Sequence, residues 1–375
     1  MQLVETVKLY LSNYKRILVT CTMKEYIATV NSLVAMDING TSIAKITTAN
    51  VNANLPSALT NQCIRDARSI VKNYRKKCCD VKRINKKLEK RKSNIRKSEP
   101  TVPVVKKQCC YINSQNFKIK GNRIEFPVRI NGKTKRISVN TKMTERQKEI
   151  LSCAKLGTMR IIKKQDYIMA QLVYEVEEVE MKTEGHVMGV DLGIKCPAVS
   201  HCTDGSVKFY GNGRKNKYIR RRYAYLRKKL QESKKISAVK RINNKEQRIM
   251  KDIDHKISHD IVKTATEHNV RIIKLERLSN IRSTTRTSRK NNHSLHNWSF
   301  YRLMQFIEYK AKRVGISVEY VDPAYTSQKC PICGSVHHAN DRRYVCECGF
   351  HTHRDLLGAM NICRSTEYVG NRHTA

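Results

Sequence analysis

The sequence predicts a chain of the α/β plus β-barrel class: an α/β domain with an inserted zinc ribbon in the second half, and a β-barrel split by a helical insertion in the first. Three observations carry that prediction. His186 to Lys195, HVMGVDLGIK, reads as a buried strand with one carboxylate, Asp191, followed by Gly193, where backbone can turn or approach a ligand closely. Several runs in the first half alternate apolar and polar side chains between turn residues. CPICG and CECG place Cys330, Cys333, Cys346 and Cys348 as C-x2-C and C-x-C pairs with twelve residues between them.

Charge bounds the partners. The 375 residues hold 74 Lys and Arg against 32 Asp and Glu, a formal net charge of +42. Such an excess repels itself unless a polyanion neutralises it, and it matches the phosphates on about two turns of duplex, at one charge per roughly 1.7 Å. Nucleic acid is the expected partner. A membrane-surface role competes as a reading of basic protein, but the sequence shows neither a long apolar run nor a signal peptide, so a soluble intracellular protein is expected. Fourteen cysteines without a secretory signal point to reduced thiols and metal sites rather than disulfides.

Taken in order, MQLVETVKLYLS alternates with the period of a half-buried strand and opens the barrel, assigned to residues 1–54. From Leu55 the pattern turns helical, with Leu59, Cys63, Ala67, Ile70 and Tyr74 on one stripe. Thirteen Lys and Arg crowd between Lys72 and Lys97, and Lys72, Arg75, Lys76 and Lys77 are candidate phosphate contacts on this insertion, residues 55–99. Strands resume over 100–182, with a hairpin turn at Asn131-Gly132 and a further hairpin between Gly157 and Glu180.

The Asp191 strand then opens the α/β core, residues 183–325, and a hairpin turning at Asp204-Gly205 follows it. A strand with a central Asp and antiparallel partners is how an RNase H-type nuclease domain begins. Lys217 to Arg248 predicts an amphipathic basic helix that offers Arg220, Arg221, Arg222, Arg227, Lys228 and Lys229 to phosphates, and a second helix follows over Ile249 to His268. VRIIKLERL is another apolar strand with Glu276 at its C-terminal end, where open α/β sheets place functional groups. The polar loop Ser279 to Asn292 is a candidate lid, and Trp298 begins a packing helix. The four cysteines of the ribbon, residues 326–350, suit one structural Zn²⁺, with His351 or His353 as alternative ligands to the shorter second pair. HRDLLGAMNI then starts a helix with Asp355 in its first turns, within the closing segment 351–375. Asp191, Glu276 and Asp355 are three carboxylates able to bind two Mg²⁺ ions roughly 3.5–4 Å apart for in-line phosphodiester cleavage.

GVDLGIK, KLERL and TSQKCPICG…YVCECGFHTHRDLLGAMNI together resemble the TnpB family of transposon-encoded nucleases, relatives of the type V CRISPR effectors. The resemblance implies a wedge-type β-barrel split by a helical recognition insertion, then a RuvC/RNase H-like nuclease domain with a zinc ribbon inserted before its last acid. It implies an RNA-guided DNA endonuclease that takes its guide RNA from the transposon end, reads a short motif beside double-stranded target DNA, and works in the cytoplasm at the nucleoid of a prokaryotic cell. By motif the catalytic acids are Asp191, Glu276 and Asp355. Where relatives tend to read D-R-D-x-N-A-A-x-N, this chain reads His353 to Asn361 as HRDLLGAMN, so Leu357 replaces a polar residue expected near the metals. Two rivals are a guided DNA-binding repressor with weak or no cleavage, against which the intact triad argues, and a guide-free RuvC-like junction nuclease, against which the ribbon and the basic insertion argue.

Overall fold

A computed structural model describes residues 1–91, 95–164, 167–278, 298–322, 325–339 and 341–366. The chain divides into two compact units, Met1–Glu177 and Glu178–Ala375. Among the described residues no helix is long and apolar enough to cross a membrane.

The first unit is built on a seven-stranded antiparallel sheet of β1 (Gln2–Tyr10), β2 (Cys109–Ile112), β3 (Lys118–Lys120), β4 (Arg123–Ile130), β5 (Lys133–Thr141), β6 (Lys155–Lys164) and β7 (Tyr167–Glu175). Their order is β2-β6-β7-β1-β5-β4-β3, with no pairing between the two end strands among the described residues, so the expected barrel is a half-barrel. The predicted Asn131-Gly132 turn joins β4 to β5, and both residues have positive φ, as a two-residue hairpin requires. Helices supply the core that a closed barrel would supply to itself. Val19, Met23 and Tyr26 of α1 (Asn13–Ile38) and Leu59 and Cys63 of α2 (Ser57–Lys90) join one cluster with Val7, Phe126, Ile161 and Leu172 of the strands.

α1 lies inside the 1–54 segment expected to be barrel, so the helical part begins at Asn13 rather than Leu55. Its buried positions, Val19, Thr22, Met23, Tyr26, Thr29, Val30, Leu33, Val34 and Asp37, have the helical period, but three of them are polar. Thr22 and Thr29 donate to the carbonyls of Leu18 and Glu25, and Asp37 accepts from the Ile43 N–H at 3.1 Å and from Arg75 at 2.5 Å. Those bonds let polar side chains occupy the core face. A further helix, α3 (Glu145–Cys153), was not expected and starts on a capping box made by Thr144 and Gln147.

The second unit holds a mixed sheet of β8 (His186–Asp191), β9 (Ala198–Cys202), β10 (Val207–Tyr210), β11 (Val270–Glu276) and β12 (Ser317–Val321), ordered β10-β9-β8-β11-β12. β8, β9 and β10 pair antiparallel, whereas β11 runs parallel to β8 and β12 parallel to β11. α4 (Gly213–Glu232) and α5 (Ile236–Glu267) replace the predicted helices over 217–248 and 249–268. The break falls at 233–235, where Lys234 takes a positive φ. Ile257, Ile261 and Ala265 of α5 enter a core shared with Leu303, Met304 and Ile307 of α6 (Phe300–Lys312). The small hairpin of β13 (Arg343–Val345) and β14 (His351–His353) belongs to the ribbon and leads into α7 (Arg354–Arg364).

α7 crosses β8 with backbone against backbone. A Cβ placed on Gly189 would stand 2.3 Å from the Ala359 carbonyl oxygen and 2.3 Å from the Cys363 nitrogen, a space only glycine leaves free. Gly189→Val is therefore expected to lower the unfolding free energy by about 3 kcal/mol, read as a fall in the urea midpoint; an unchanged midpoint would rule out the close crossing.

Candidate active site and metal centre

Asp191 ends β8 and Glu276 ends its parallel neighbour β11, so both carboxylates leave the sheet at the same edge. Asp355 lies in the first turn of α7 and is buried. The α7 crossing brings it to the strands, because Gly358, one turn on, lies so near Asp191 that a Cβ there would be 3.1 Å from its carboxyl carbon.

The electrostatics of this cluster are unfavourable to the bare carboxylates. Burial pushes Asp191 well above the usual carboxylate range, and the charges of Glu276 and Asp355 push it further; Arg354 and Arg342 pull against them. Glu276 is also raised, first by burial and then by Asp322 at the end of β12, while the Thr326 hydroxyl donates to its Oε1 and lowers it. Arg342 pairs with Oδ1 of Asp355. The other oxygen, Oδ2, is buried and has no hydrogen-bond partner among the described residues. Two half-buried carboxylates held above their usual range, beside a buried third with an oxygen left over, form an oxygen donor set suited to a hard divalent cation. The three acids are those the sequence singled out, and the fold brings their elements together. Asp322, Thr326 and Arg342 were not given roles, although Asp322 shares with Glu276 the signal of a strand's C-terminal end.

Neighbouring residues hold the geometry. His353 caps α7 by accepting the Asp355 N–H at 3.2 Å, and its ring meets Phe209 edge-on at 5.4 Å. Asn361 donates to the carbonyls of Thr326 at 2.7 Å and Lys329 at 2.8 Å, fastening α7 to the segment that carries Thr326. Leu357 does not face the acids, contrary to expectation. It is fully buried against Cys330, Tyr344 and Cys346, because a step of two along a helix turns about 200° away from Asp355.

The four cysteines form a set whose sulfurs all lie within 4.8 Å of one another, and no other such set of metal-ligating side chains occurs among the described residues; the three carboxylates are spread more widely. Sγ of Cys330 is 3.7 Å from that of Cys348, and Cys333 is 3.4 Å from Cys346. Zn–S bonds of about 2.3 Å in a tetrahedron set sulfurs roughly 3.8 Å apart, so the quartet fits zinc. In each knuckle the glycine N–H returns to the first cysteine carbonyl, Gly334 to Cys330 and Gly349 to Cys346, both at 3.0 Å. Ser335 draws the Cys333 thiol down to about 6, toward the thiolate that binds metal. With four thiols gathered, neither His351 nor His353 is needed as a ligand.

The basic candidates separate into two groups. Lys72, Lys76, Lys77, Arg221, Arg222, Lys228 and Lys229 are exposed. Arg220 and Arg227 are instead half-buried between α4 and α5, with Arg227 bonded to Glu246 at 2.5 Å, and Arg75 is tied to Asp37. The expected lid, Ser279 to Asn292, lies outside the described residues.

Two family models match, the Cas12f1-like TNB domain over residues 300–362 and OrfB_IS605, a probable transposase, over residues 171–282. A TnpB-like protein of Methanocaldococcus jannaschii is 32% identical over 276 residues, which is 68% of this chain and 95% of that protein. The CRISPR-associated endodeoxyribonuclease Cas12f1 of Sulfoacidibacillus thermotolerans is 33% identical over 133 residues, 34% of this chain and 30% of its own length. In fold, the chain matches Cas12f1 in its complex with sgRNA and target DNA at a TM-score of 0.62 and 15% identity, covering 93% of this chain and 81% of that one. It also matches CasPhi-2 bound to crRNA at 0.53 and 10% identity, covering 96% and 97%. The extent of the M. jannaschii match, together with the two family models on the halves of the acid-bearing unit, means that this chain belongs to the TnpB family.

Proposed function

We propose that the chain is an RNA-guided DNA endonuclease whose RuvC/RNase H-like core cuts target DNA beside a short target-adjacent motif. Asp191, Glu276 and Asp355 are the catalytic acids and hold two Mg²⁺, and Cys330, Cys333, Cys346 and Cys348 hold one structural Zn²⁺. The observation that carries this reading is the convergence of three carboxylates from β8, β11 and α7, with the partnerless Oδ2 of Asp355 among them. Relatives named as endodeoxyribonucleases and fold neighbours bound to guide RNA and target DNA support it, as does the net charge of +42. In this reading residues 1–54 and 100–182 supply the wedge, with α1 added to the recognition insertion 55–99, and the guide comes from the transposon end. Exposed Lys and Arg of α2 and α4 hold the guide–target heteroduplex by its phosphates.

When bound, the magnesium ions lower the pKa of water and stabilise the departing 3′-oxygen. The chain's own residues prepare that chemistry. Asp191 and Glu276 stay ionised only where positive charge offsets their burial. Thr326 fixes the rotamer of Glu276, and Arg342 holds Oδ1 of Asp355, leaving Oδ2 without a partner among the described residues. Cleavage should leave 5′-phosphate and 3′-hydroxyl ends.

Asp191→Asn is expected to cut at least about a thousandfold more slowly while binding the same DNA within about twofold, since phosphate contacts lie elsewhere; retained cleavage in a gel assay would sink the assignment. The same variant tests the electrostatics. A carboxyl raised in the folded state is destabilising where it must ionise, so the penalty is absent below the unfolded pKa and grows as pH rises through the folded one. In metal-free buffer at neutral pH, Asp191→Asn should melt about 2–4 °C higher than the native chain, and the gain should vanish in acid. Chelation is expected to release one zinc per chain and to abolish cutting, because α7 and Asp355 are anchored to the ribbon through Leu357 and Asn361; full activity of zinc-free protein would refute that dependence.

A further inference from the structure

A cavity of about 600 Å³ opens where the turn after Asp191 meets the helices; none of the three acids lines it, and nothing in the proposed mechanism uses it. Its walls are α4, α5, the start of α6 and the turn after Asp191, represented by Gly193, Ile194 and Pro197. One side is apolar, made by Ile194, Pro197, Met250, Trp298 and Leu303. The other is polar, and its groups are unequally engaged. Glu246 accepts from Arg227 at 2.5 Å, and Asp254 accepts from Arg302 at 2.6 Å. Arg220 stands 3.9 Å from Glu246 and makes no hydrogen bond among the described residues. Burial disfavours its charge, first among the influences on it. A half-buried guanidinium whose counter-charge stands at 3.9 Å, beyond hydrogen-bond reach, keeps donors that a ligand in the cavity can accept from.

The ligand that meets this wall has flat apolar faces, acceptors on one edge and a negatively charged tether. The apolar side takes a ring face, the Arg220 fork takes an acceptor edge, and Lys217 and exposed Arg221 at the lining take phosphate. A free nucleotide shares this chemistry, and the position dependence of the test below separates it from a strand. We propose that the cavity receives one unpaired nucleobase of the single-stranded DNA presented to the carboxylates, fixing the strand's register relative to Asp191. A carbonyl acceptor on the base edge, O4 of a pyrimidine such as uracil or O6 of guanine, suits the Arg220 donors. The inference rests on Asp191 as a catalytic acid only for the identity of the strand; the cavity and its donors are independent of it.

The test is photocross-linking with single-stranded oligonucleotides carrying 5-iodouracil at one position at a time, on full-length Asp191→Asn protein with any RNA it carries. Cross-links to Trp298 or Met250 are expected from only one or two adjacent positions. Ala224→Trp fills the cavity from an exposed helix position and should cut that yield about tenfold. Arg220→Gln, which removes the forked donor while retaining much of the side chain, should lower it about fivefold and supplies the answer if Ala224→Trp does not fold. Cross-links scattered evenly along the oligonucleotide, absent from both residues, or unchanged in the variants would overturn the proposal. Cleavage of the same oligonucleotides by the native chain with Mg²⁺ separates the two readings. Position-restricted cross-links without cleavage would support the cavity and defeat the catalytic assignment, whereas cleavage with scattered cross-links would defeat the cavity alone.

Discussion

The passage of α7 over β8 at van der Waals distance is the contact on which the second unit depends. Gly189 removes the one side chain that would hold the helix off the strand, and the Cys363 thiol then reaches the Val187 carbonyl at 3.3 Å. From that fixed crossing, the turns of the helix distribute its residues among separate tasks. Asp355 joins the acids, Leu357 enters the ribbon core, Gly358 admits the Asp191 carboxyl, and Asn361 fastens the Thr326 segment. A shift of the helix by one side chain's thickness would disturb all four together, because packed interfaces relax in discrete steps rather than continuously.

Electrostatics explains why such positioning needs so many anchors. In a chain with a net charge of +42, three converging acids would find ample compensation nearby if charge balance alone decided. Yet burial outranks the pull of Arg342 and Arg354 on Asp191, since desolvation penalises the charged form before any partner acts. Many of the Lys and Arg lie exposed on α2, α4 and α5, where water screens them from the cluster. The acids therefore retain a deficit of positive charge that a tightly held divalent cation is suited to meet, while the surface charge is left for long-range attraction of phosphate.

What the sequence made legible follows the same physics. β8 and β11 were readable because their apolar residues, Val187, Met188 and Val190 in one and Val270, Ile272, Ile273 and Leu275 in the other, make a strand at whose end Asp191 and Glu276 stand out. Asn131-Gly132 and the cysteine knuckles were readable because their backbone geometry demands those residue types. α1 was not, because Thr22, Thr29 and Asp37 occupy its core face through bonds to backbone and to Arg75, while Ile17 is exposed, which blurs the contrast between faces. The inward turn of Arg220 and Arg227 was equally hidden, since a basic helix gives no local sign that Glu246 of the next helix will draw two guanidiniums from its surface.

The departure at Leu357 shows how a motif can change without its chemistry changing. Asp355 and position 357 lie on different faces of α7, and the latter meets Cys330, Tyr344 and Cys346. A polar side chain there would need a partner inside the ribbon core, whereas leucine needs only contact, so the substitution is favourable to packing and remote from the acids. Gly358 is the departure that touches them. In place of the alanine of the resembling motif, glycine leaves the Asp191 carboxyl the space that a Cβ would contest at 3.1 Å. The helix thus combines a larger apolar group toward the ribbon with a smaller one toward Asp191, and it is the second change that bears on where the carboxylate can stand.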